Sequence, residues 1–146
     1  MASVSVYLNF KDQCEEAFHF YQSIFGGQFE GGGPQRFGDM PPSEGMPPMD
    51  EAVKNLVLHM ELKIVGGFSL MGSDAPESFG FQLQAGNTTH INLNLDTRAE
   101  TKRIFDALAE GGAVTMELAE MFWGDYFGQC TDKYGIQWMV NCAEKA

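Results

Sequence analysis

Basic residues, cysteine and histidine are all scarce in this sequence. Lysine and arginine number 9 against 20 aspartates and glutamates, which gives a formal net charge of −11. A surface this acidic repels the phosphates of nucleic acids and of anionic lipids. No apolar run approaches the ~20 residues that are needed to span a bilayer. We therefore expect no nucleic-acid partner and no membrane association.

The N-terminal segment has neither the basic start nor the apolar run of a secretory signal peptide. Cys14, Cys130 and Cys142 are odd in number and far apart, so they indicate neither a disulfide framework nor a zinc site. With 146 residues, 44% of them apolar, the chain has the length and composition of one folded domain. These features predict a cytoplasmic protein with a single domain, residues 1–146.

An internal repeat is visible in the sequence. When the sequence is aligned with itself so that Leu8 matches Leu93, Phe20 also matches Phe105. The glycine pair at 26–27 then matches the pair at 111–112. We call this alignment the first superposition. Each copy reads as an alternating strand, a helix and a helix-ending glycine pair. The helix starts Asp12-x-x-Glu15 and Thr97-x-x-Glu100 both have the pattern of a capping box.

The later part of each copy repeats in a second superposition, which places Gly67 on Gly135 and Met71 on Met139. Strands over 28–37 and 113–119 and hairpins over 57–73 and 124–142 complete the two units. We therefore predict an α+β fold made of two tandem βαβββ modules, about residues 1–75 and 86–146. Their curved mixed sheets surround a cavity and carry their helices on the outer face.

The first copy is longer because of the loop over residues 38–52, which is rich in proline and methionine. Proline at this density blocks both helix and sheet. The loop has two interpretations, a lid over a binding site or a tolerated insertion. Met40, Met46 and Met49 would give such a lid an adaptable apolar surface.

Strand alternation separates an apolar face from a polar face in each module. Leu8 and Leu93 lie on the apolar faces, and we expect Phe20 and Phe105 to pack the helices there. The opposite faces carry Asn, Ser, Gln, His and Met, which suit a small ligand cavity better than an open solvated surface. A half-solvated surface or a subunit interface is the alternative.

The phrases Tyr7-Leu8-Asn9-Phe10, Ala17-Phe18-His19-Phe20-Tyr21 and Thr131-Asp132-Lys133-Tyr134-Gly135 carry a family resemblance. With the paired modules, they resemble the vicinal oxygen chelate superfamily of glyoxalases, bleomycin-resistance proteins and extradiol dioxygenases. The segments Phe37-Gly38-Asp39-Met40 and Phe122-Trp123-Gly124-Asp125 are similar to its PhnB-like branch. Members of that branch are sometimes labelled 3-demethylubiquinone methyltransferases. The sequence lacks the glycine-rich strand–helix turn that an adenosyl cofactor would favour.

The resemblance implies metal ligands at four positions, which hold Ser5, Met71, His90 and Met139 here. Of these only His90 suits a hard or borderline divalent metal, because thioether sulfur is a poor donor for such ions. We therefore expect no metal and no cofactor at this site. His90 is the candidate catalytic acid or base. A displaced His59/Glu61/His90 metal site is the alternative, and an ion-paired solvated strand is the simpler interpretation of His59 and Glu61.

These considerations predict a small-molecule-binding protein that resembles the drug-sequestering members of the superfamily. The predicted ligand-binding residues are Ser5, Tyr7, His59, Glu61, Met71, His90, Asn92, Trp123 and Met139. Two alternatives stay open, namely an enzyme acting on a small polar metabolite and an interaction protein with a vestigial cavity. The resemblance also implies a homodimer.

Overall fold

Alternating apolar and polar residues build two four-stranded mixed sheets, and one long helix packs on each. The structure is a computed structural model that describes all of residues 1–146. The chain divides into two compact units, Met1–Gln84 and Ala85–Ala146, called module 1 and module 2 below. No helix combines the length and the apolar character needed to cross a membrane.

Module 1 contains a sheet with the strand order β1-β4-β3-β2. Strand β1 runs parallel to β4, whereas β3 is antiparallel to both β4 and β2. In chain order its elements are β1 (Val6–Phe10), α1 (Cys14–Phe25), β2 (Gln35–Arg36), α2 (Glu51–Lys54), β3 (Val57–Lys63) and β4 (Ser69–Asp74).

Module 2 repeats this topology with the strand order β5-β8-β7-β6. Strand β5 is parallel to β8, and β7 is antiparallel to β8 and β6. Its elements are β5 (Ile91–Leu95), α3 (Arg98–Ala109), β6 (Ala113–Glu120), β7 (Tyr126–Thr131) and β8 (Gln137–Cys142). The predicted α+β fold with two tandem βαβββ modules is confirmed.

The strand registers follow the two sequence superpositions. Tyr7 pairs with Met71 in module 1, and Asn92 pairs with Met139 in module 2. Tyr7 corresponds to Asn92 in the first superposition, and Met71 corresponds to Met139 in the second. The repeat detected in the sequence is therefore a repeat of backbone pairing.

The helix registers differ from the predicted alignment. On α3, Phe105 is buried as expected, with 3% of its surface exposed. On α1, Phe18 is completely buried, with 0% exposed, whereas Phe20 is only half-buried. The prediction for Phe20 was wrong because the two helices start at positions that the first superposition does not align. Helix α3 begins at Arg98, which aligns with Gln13, whereas α1 begins one position later, at Cys14. Phe18 and Tyr21 therefore form the helix face that covers the first sheet.

The strand predicted over residues 28–37 is reduced to β2 and one isolated bridge between Phe29 and Leu62. Gly31, Gly32 and Gly33 all have positive φ angles, which extended strands do not adopt. Pro34 follows them and has no N–H for a ladder hydrogen bond. This segment is instead a 3₁₀ turn over Glu30–Gly32 followed by the two-residue strand.

The two helix starts are capped in different ways. Thr97 caps α3 as predicted, because its side chain accepts a hydrogen bond from the N–H of Glu100. The cap predicted at Asp12 was wrong: the N–H of Cys14 donates instead to the carboxylate of Asp74 at 2.9 Å. The other oxygen of Asp74 accepts from the N–H of Val57, also at 2.9 Å. One buried carboxylate in β4 thus joins the start of α1 to the start of β3.

The loop over residues 38–52 begins within a 3₁₀ turn over Phe37–Asp39 and is then irregular until α2 begins at Glu51, as the prolines predict. Its first end is fixed where the carboxylate of Asp39 accepts from the N–H of Arg36 at 2.8 Å. At its other end Asp50 caps α2 by accepting from the N–H of Val53 at 2.9 Å. The middle of the loop therefore lies between two anchored ends.

Candidate functional site

Each sheet has one face covered by its helix and one face without a helix, which we call the open face. In module 1, β1 alternates between buried Leu8 and Phe10 and exposed Tyr7 and Asn9. Met71 lies between Tyr7 on β1 and Glu61 on β3, and these three side chains form one row across the open face. The structure thus places three of the predicted binding residues side by side.

The phenol of Tyr7 lies against the imidazole of His59. Its Oη atom is 3.3 Å from Nδ1 of His59 and 3.5 Å from the carbonyl oxygen of Leu58. The two rings are tilted by 34° with their centroids 5.7 Å apart. Tyr7 is 47% exposed, so both side chains can still contact a ligand. A phenol and an imidazole each donate and accept hydrogen bonds, which suits a polar guest.

Glu61 is held by two neighbours on the same face. The hydroxyl of Ser69 donates to its carboxylate at 2.5 Å, and Nζ of Lys63 lies 3.4 Å from the same oxygen. The hydrogen bond from Ser69 is the main reason that the pKa of Glu61 is lowered, and Lys63 adds to the effect. Glu61 is therefore an ionised group whose charge is already balanced by a cation of the same sheet.

Ser5 and Met71 also meet on this side of module 1. The Ser5 hydroxyl is 3.7 Å from the Sδ atom of Met71, a weak hydrogen bond to sulfur. This contact places Ser5 at the end of the row formed by Tyr7, Met71 and Glu61. Five of the predicted residues thus share one face, namely Ser5, Tyr7, His59, Glu61 and Met71.

The open face of module 2 is built mainly from amide side chains. Asn92 pairs with Met139, and Met139 pairs with Gln129 across β5, β8 and β7. One position further along, Asn141 donates from Nδ2 to the carboxylate of Asp125 at 3.1 Å. His90 is half-buried and directly precedes β5. This face therefore presents hydrogen-bonding groups to solvent with little charge.

Equivalent positions on the two open faces carry different chemistry. In the second superposition, Glu61 corresponds to Gln129 and His59 corresponds to Phe127. In the first superposition, Tyr7 corresponds to Asn92. The titratable cluster is therefore confined to module 1, whereas the same positions of module 2 are neutral.

Trp123 lies on the turn between β6 and β7, next to the open face of module 2. Trp123 is 52% exposed. Its ring packs edge-to-face with Phe122, with the ring centroids 4.9 Å apart, and its centroid is 6.4 Å from that of Phe127. Phe127 pairs with Asn141 in the sheet, so Trp123 reaches the edge of the amide-lined face. This position fits a ligand contact better than a core role.

The four positions at which the resemblance implies metal ligands do not fit a hard or borderline divalent ion. Ser5 and Met71 contact each other in module 1, and Met139 of module 2 offers another thioether. Such an ion needs several oxygen or nitrogen donors, and here only His90 is a good one. Neither module contains a group of three or more His, Cys, Asp or Glu side chains arranged to hold a metal. His59 and Glu61 are engaged with Tyr7, Ser69 and Lys63 instead.

The three thiols do not contribute to either open face, because Cys14, Cys130 and Cys142 are all 0% exposed. Burial raises the pKa of Cys130 to about 12 and raises that of Cys14 further above its ordinary range. A thiolate nucleophile at the start of α1 is therefore disfavoured. Cys14 is instead a buried residue of the core.

Two residues of the open faces were not predicted from the sequence. Ser69 donates to Glu61, and Gln129 lies beside Met139. Strand parity would have assigned both residues to these faces, because Gln129 pairs with Met139 and Ser69 lies two residues before Met71 on β4. The contact between Ser69 and Glu61 depends on side-chain conformation and has no sequence signal.

Comparison with known proteins gives a consistent family. The sequence pattern of the family described as 3-demethylubiquinone-9 3-methyltransferase matches residues 2–141. Protein YjdN of Escherichia coli (strain K12) is 34% identical over 147 residues, covering 97% of this chain and 96% of its own.

Solved structures agree with this family. Protein PA1353 from Pseudomonas aeruginosa superimposes with a TM-score of 0.78 at 41% identity, covering 96% of this chain and 98% of its own. A Bacillus cereus PhnB protein, described as a putative 3-demethylubiquinone-9 3-methyltransferase, superimposes with a TM-score of 0.75 at 25% identity. The match covers 97% of this chain and 100% of the Bacillus cereus protein. A glyoxalase/bleomycin resistance protein/dioxygenase family enzyme from Burkholderia phytofirmans superimposes with a TM-score of 0.61 at 16% identity. The match covers 96% of this chain and 97% of that enzyme, which shows a shared fold.

Proposed function

Because the chain belongs to the 3-demethylubiquinone-9 3-methyltransferase family and has the glyoxalase/bleomycin-resistance fold, we propose that it binds a small polar molecule. The open face of module 1 is the proposed site. The observation that carries the proposal is the contact between Tyr7 and His59, 3.3 Å apart and accessible, in the row of side chains that includes Met71 and Glu61.

The chemistry of this face indicates the class of ligand. Glu61 is balanced by Lys63, so the face offers no free charge to attract an ion. Tyr7 and His59 can each donate or accept a hydrogen bond, and Met71 supplies an adaptable apolar contact. We expect a neutral molecule with a hydroxyl or carbonyl group next to an apolar part. Ser5 and Glu61 would border the ligand in module 1. His90, Asn92, Trp123 and Met139 are proposed as ligand contacts of the open face of module 2.

An enzyme is the second candidate, and the proximity of a phenol to an imidazole favours it. Imidazole is the side chain whose ordinary titration lies nearest neutral pH, so it can exchange a proton with a bound hydroxyl. His59 would act through Tyr7 in module 1, and His90 is the acid or base proposed for module 2. Membership of a family described as a methyltransferase does not by itself give this chain that activity.

Native mass spectrometry on protein purified without an affinity metal column or chelators is the first test. We expect an organic molecule to be retained or, failing that, members of a metabolite collection to raise the melting temperature. The double variant Tyr7→Phe with His59→Asn should lose the mass adduct or the thermal shift, and Lys11→Gln should keep it. Unchanged ligand binding in the double variant would remove module 1 as the site. Turnover of the retained ligand, lost on the same substitution, would favour the enzyme.

We also propose that the chain forms a homodimer in the cytoplasm. Large apolar side chains exposed on β6 and the turn after it support association: Phe122 is 98% exposed, Trp123 52%, Met116 43% and Val114 42%. The three unpaired thiols are typical of a reducing compartment. Light scattering coupled to size exclusion should give twice the chain mass of 16.1 kDa, and Phe122→Asp should return it to the single-chain value.

A further inference from the structure

A pocket lies at the loop over residues 38–52, and none of its lining residues belongs to either open face. It has a volume of about 240 Å³ and opens to solvent. Its walls are methionine and proline side chains together with one hydroxyl and one ammonium group. The residues that line it are Met40, Pro42, Ser43, Met46, Pro47, Met49 and Lys54.

Three of the nine methionines of the chain share this pocket. Met40, Met46 and Met49 are all half-buried, so each is held partly by the loop and partly open to the pocket. The side chains lining the pocket include no carboxylate, imidazole or thiol. A hard or borderline cation such as Mg²⁺ or Zn²⁺ therefore finds no suitable ligand set, whereas thioether sulfur selects a soft ion such as Cu(I).

Local charge favours a cation in spite of the lysine. The loop carries the carboxylates of Asp39, Glu44, Asp50 and Glu51 and contains no lysine or arginine of its own. Lys54 borders the pocket, but its Nζ atom lies 3.5 Å from Glu51, which balances its charge. With a net charge of −11 for the whole chain, the surroundings attract a small positive ion.

The loop also limits the freedom of the three sulfur-bearing residues. Met40 directly follows Asp39, which is bound to Arg36, and its own N–H donates to the carbonyl of Phe37 at 3.2 Å. Met49 directly precedes Asp50, the cap of α2. Prolines restrict the backbone between these anchors. Less conformational entropy is lost when a ligand orders a segment that is already restrained.

We propose that this loop pocket binds one soft monovalent cation of the Cu(I) type through the thioether sulfurs of Met40, Met46 and Met49. All three methionines line the same pocket, and their flexible side chains allow the sulfurs to change direction. Cys14, Cys130 and Cys142 are completely buried, so the folded chain offers no accessible thiol to compete. The site is separate from the proposed small-molecule site, and neither depends on the other.

The test is an anaerobic titration of the full chain with Cu(I), in competition with a chromogenic Cu(I) chelator. We expect one ion per chain. Changing Met40, Met46 and Met49 together to leucine should weaken binding at least ~100-fold, because leucine keeps the volume and removes the sulfur. Each single variant should weaken it by about tenfold. Met121→Leu, at a half-buried methionine directly after β6, is the matched control and should bind Cu(I) as the parent does.

A second readout identifies the sulfurs directly. With ¹³C-labelled methionine methyl groups, Ag(I) as a redox-stable substitute for Cu(I) should shift the signals of Met40, Met46 and Met49 and leave that of buried Met60 in place. The melting temperature of each variant shows that the fold is intact. Binding that survives the triple substitution, or shifts confined to other methionines, would overturn the proposal.

Discussion

The ring of Phe18 lies so close to Gly72 that the two residues define how α1 sits on the first sheet. A Cβ atom at Gly72 would be 2.6 Å from Cε1 of Phe18 and 3.2 Å from the backbone oxygen of Leu8. Module 2 has the same arrangement with Gly128, whose Cβ would lie 3.0 Å from Cε1 of Phe105. Each helix thus packs an aromatic ring directly on strand backbone.

The glycine that contacts the helix ring lies on non-equivalent strands in the two modules. Gly72 is in β4 and pairs with Met60 in β3, whereas Gly128 is in β7 and pairs with Val140 in β8. In the second superposition, Met60 corresponds to Gly128 and Gly72 corresponds to Val140. The two modules therefore use one small and one large residue in the same cross-strand pair, but in opposite order.

Replacing Gly72 with alanine should lower the free energy of unfolding by about 1–3 kcal/mol, because the buried ring of Phe18 has to move. Gly128→Ala should also destabilise, since the backbone of Leu118 lies 3.0 Å from its added methyl group. Urea unfolding measures both. Gly86→Ala is the control, because its Cβ meets nothing within 4 Å. Equal stability of Gly72→Ala and Gly86→Ala would mean that α1 packs elsewhere.

The strand pattern was predictable because side chains alternate along each strand. The repeat relates the pairing of Tyr7 with Met71 to that of Asn92 with Met139, but it does not by itself give either pairing. The helix faces were less predictable, since a displacement of one residue moves a side chain by about 100° around a helix. Phe20, aligned with Phe105 in the sequence, consequently lies beside the buried face rather than on it.

The candidate site was predictable only in its residue types. Parity assigns Tyr7, His59 and Glu61 to one face, but the contacts between Tyr7 and His59 and between Glu61 and Ser69 depend on side-chain rotamers. The helix cap shows the same limit. Asp12 has the right local spacing, yet a carboxylate distant in sequence, Asp74, supplies the hydrogen bond.

Asp132 organises the turn between β7 and β8. One of its oxygens accepts from the N–H groups of Tyr134 and Ile136 at 2.9 and 3.1 Å, and the other accepts from Nε1 of buried Trp138 at 2.9 Å. Asp132→Ala should cost about 2–4 kcal/mol, because buried donors lose their acceptor. Thermal and urea unfolding measure the loss. Asp132→Asn, which keeps one acceptor oxygen, should recover part of it, and an alanine variant as stable as the parent would contradict this role.

Asp74 gives module 1 a distinctive dependence on pH. Burial raises the pKa of its carboxyl, the N–H groups of Val57 and Cys14 oppose this, and the nearby charges of Asp12 and Glu15 add to it. A raised pKa in the folded state means that the folded chain binds the proton more tightly than the unfolded chain. The contribution of Asp74 to stability therefore falls as pH rises from the ordinary value of 3.8 through the raised pKa.

The stability advantage of the parent over Asp74→Asn should accordingly shrink as pH rises across that interval and become constant above it. Urea unfolding of both proteins at a series of pH values measures the difference. Asp12→Asn removes one of the charges that raise the pKa of Asp74 and leaves Asp74 in place. It should therefore bring that pKa closer to 3.8 and shorten the pH range over which the stability advantage shrinks. A parent advantage that grows with pH would contradict the assignment.

Glu61 should have the opposite dependence on pH. Its pKa is lowered, first by the Ser69 hydroxyl and then by Lys63, so its stabilising contribution is present above the ordinary value of 4.5 and is lost as pH falls through the lowered pKa. Its side chain is 19% exposed and that of Lys63 is 49% exposed. Solvent screening therefore limits the effect of Glu61→Gln at neutral pH to about 1 kcal/mol or less.

The second module supplies the matched control for this change. Gln129 occupies the position that corresponds to Glu61, with Thr131 and Gln137 where module 1 has Lys63 and Ser69. Gln129→Glu places a carboxylate there without a cation, so it should destabilise at neutral pH and recover in acid. Urea unfolding at neutral pH and through a series of acid pH values separates the two variants. A loss in Glu61→Gln that persists below the lowered pKa of Glu61 would mean that the glutamate stabilises through packing, because its carboxyl is protonated there.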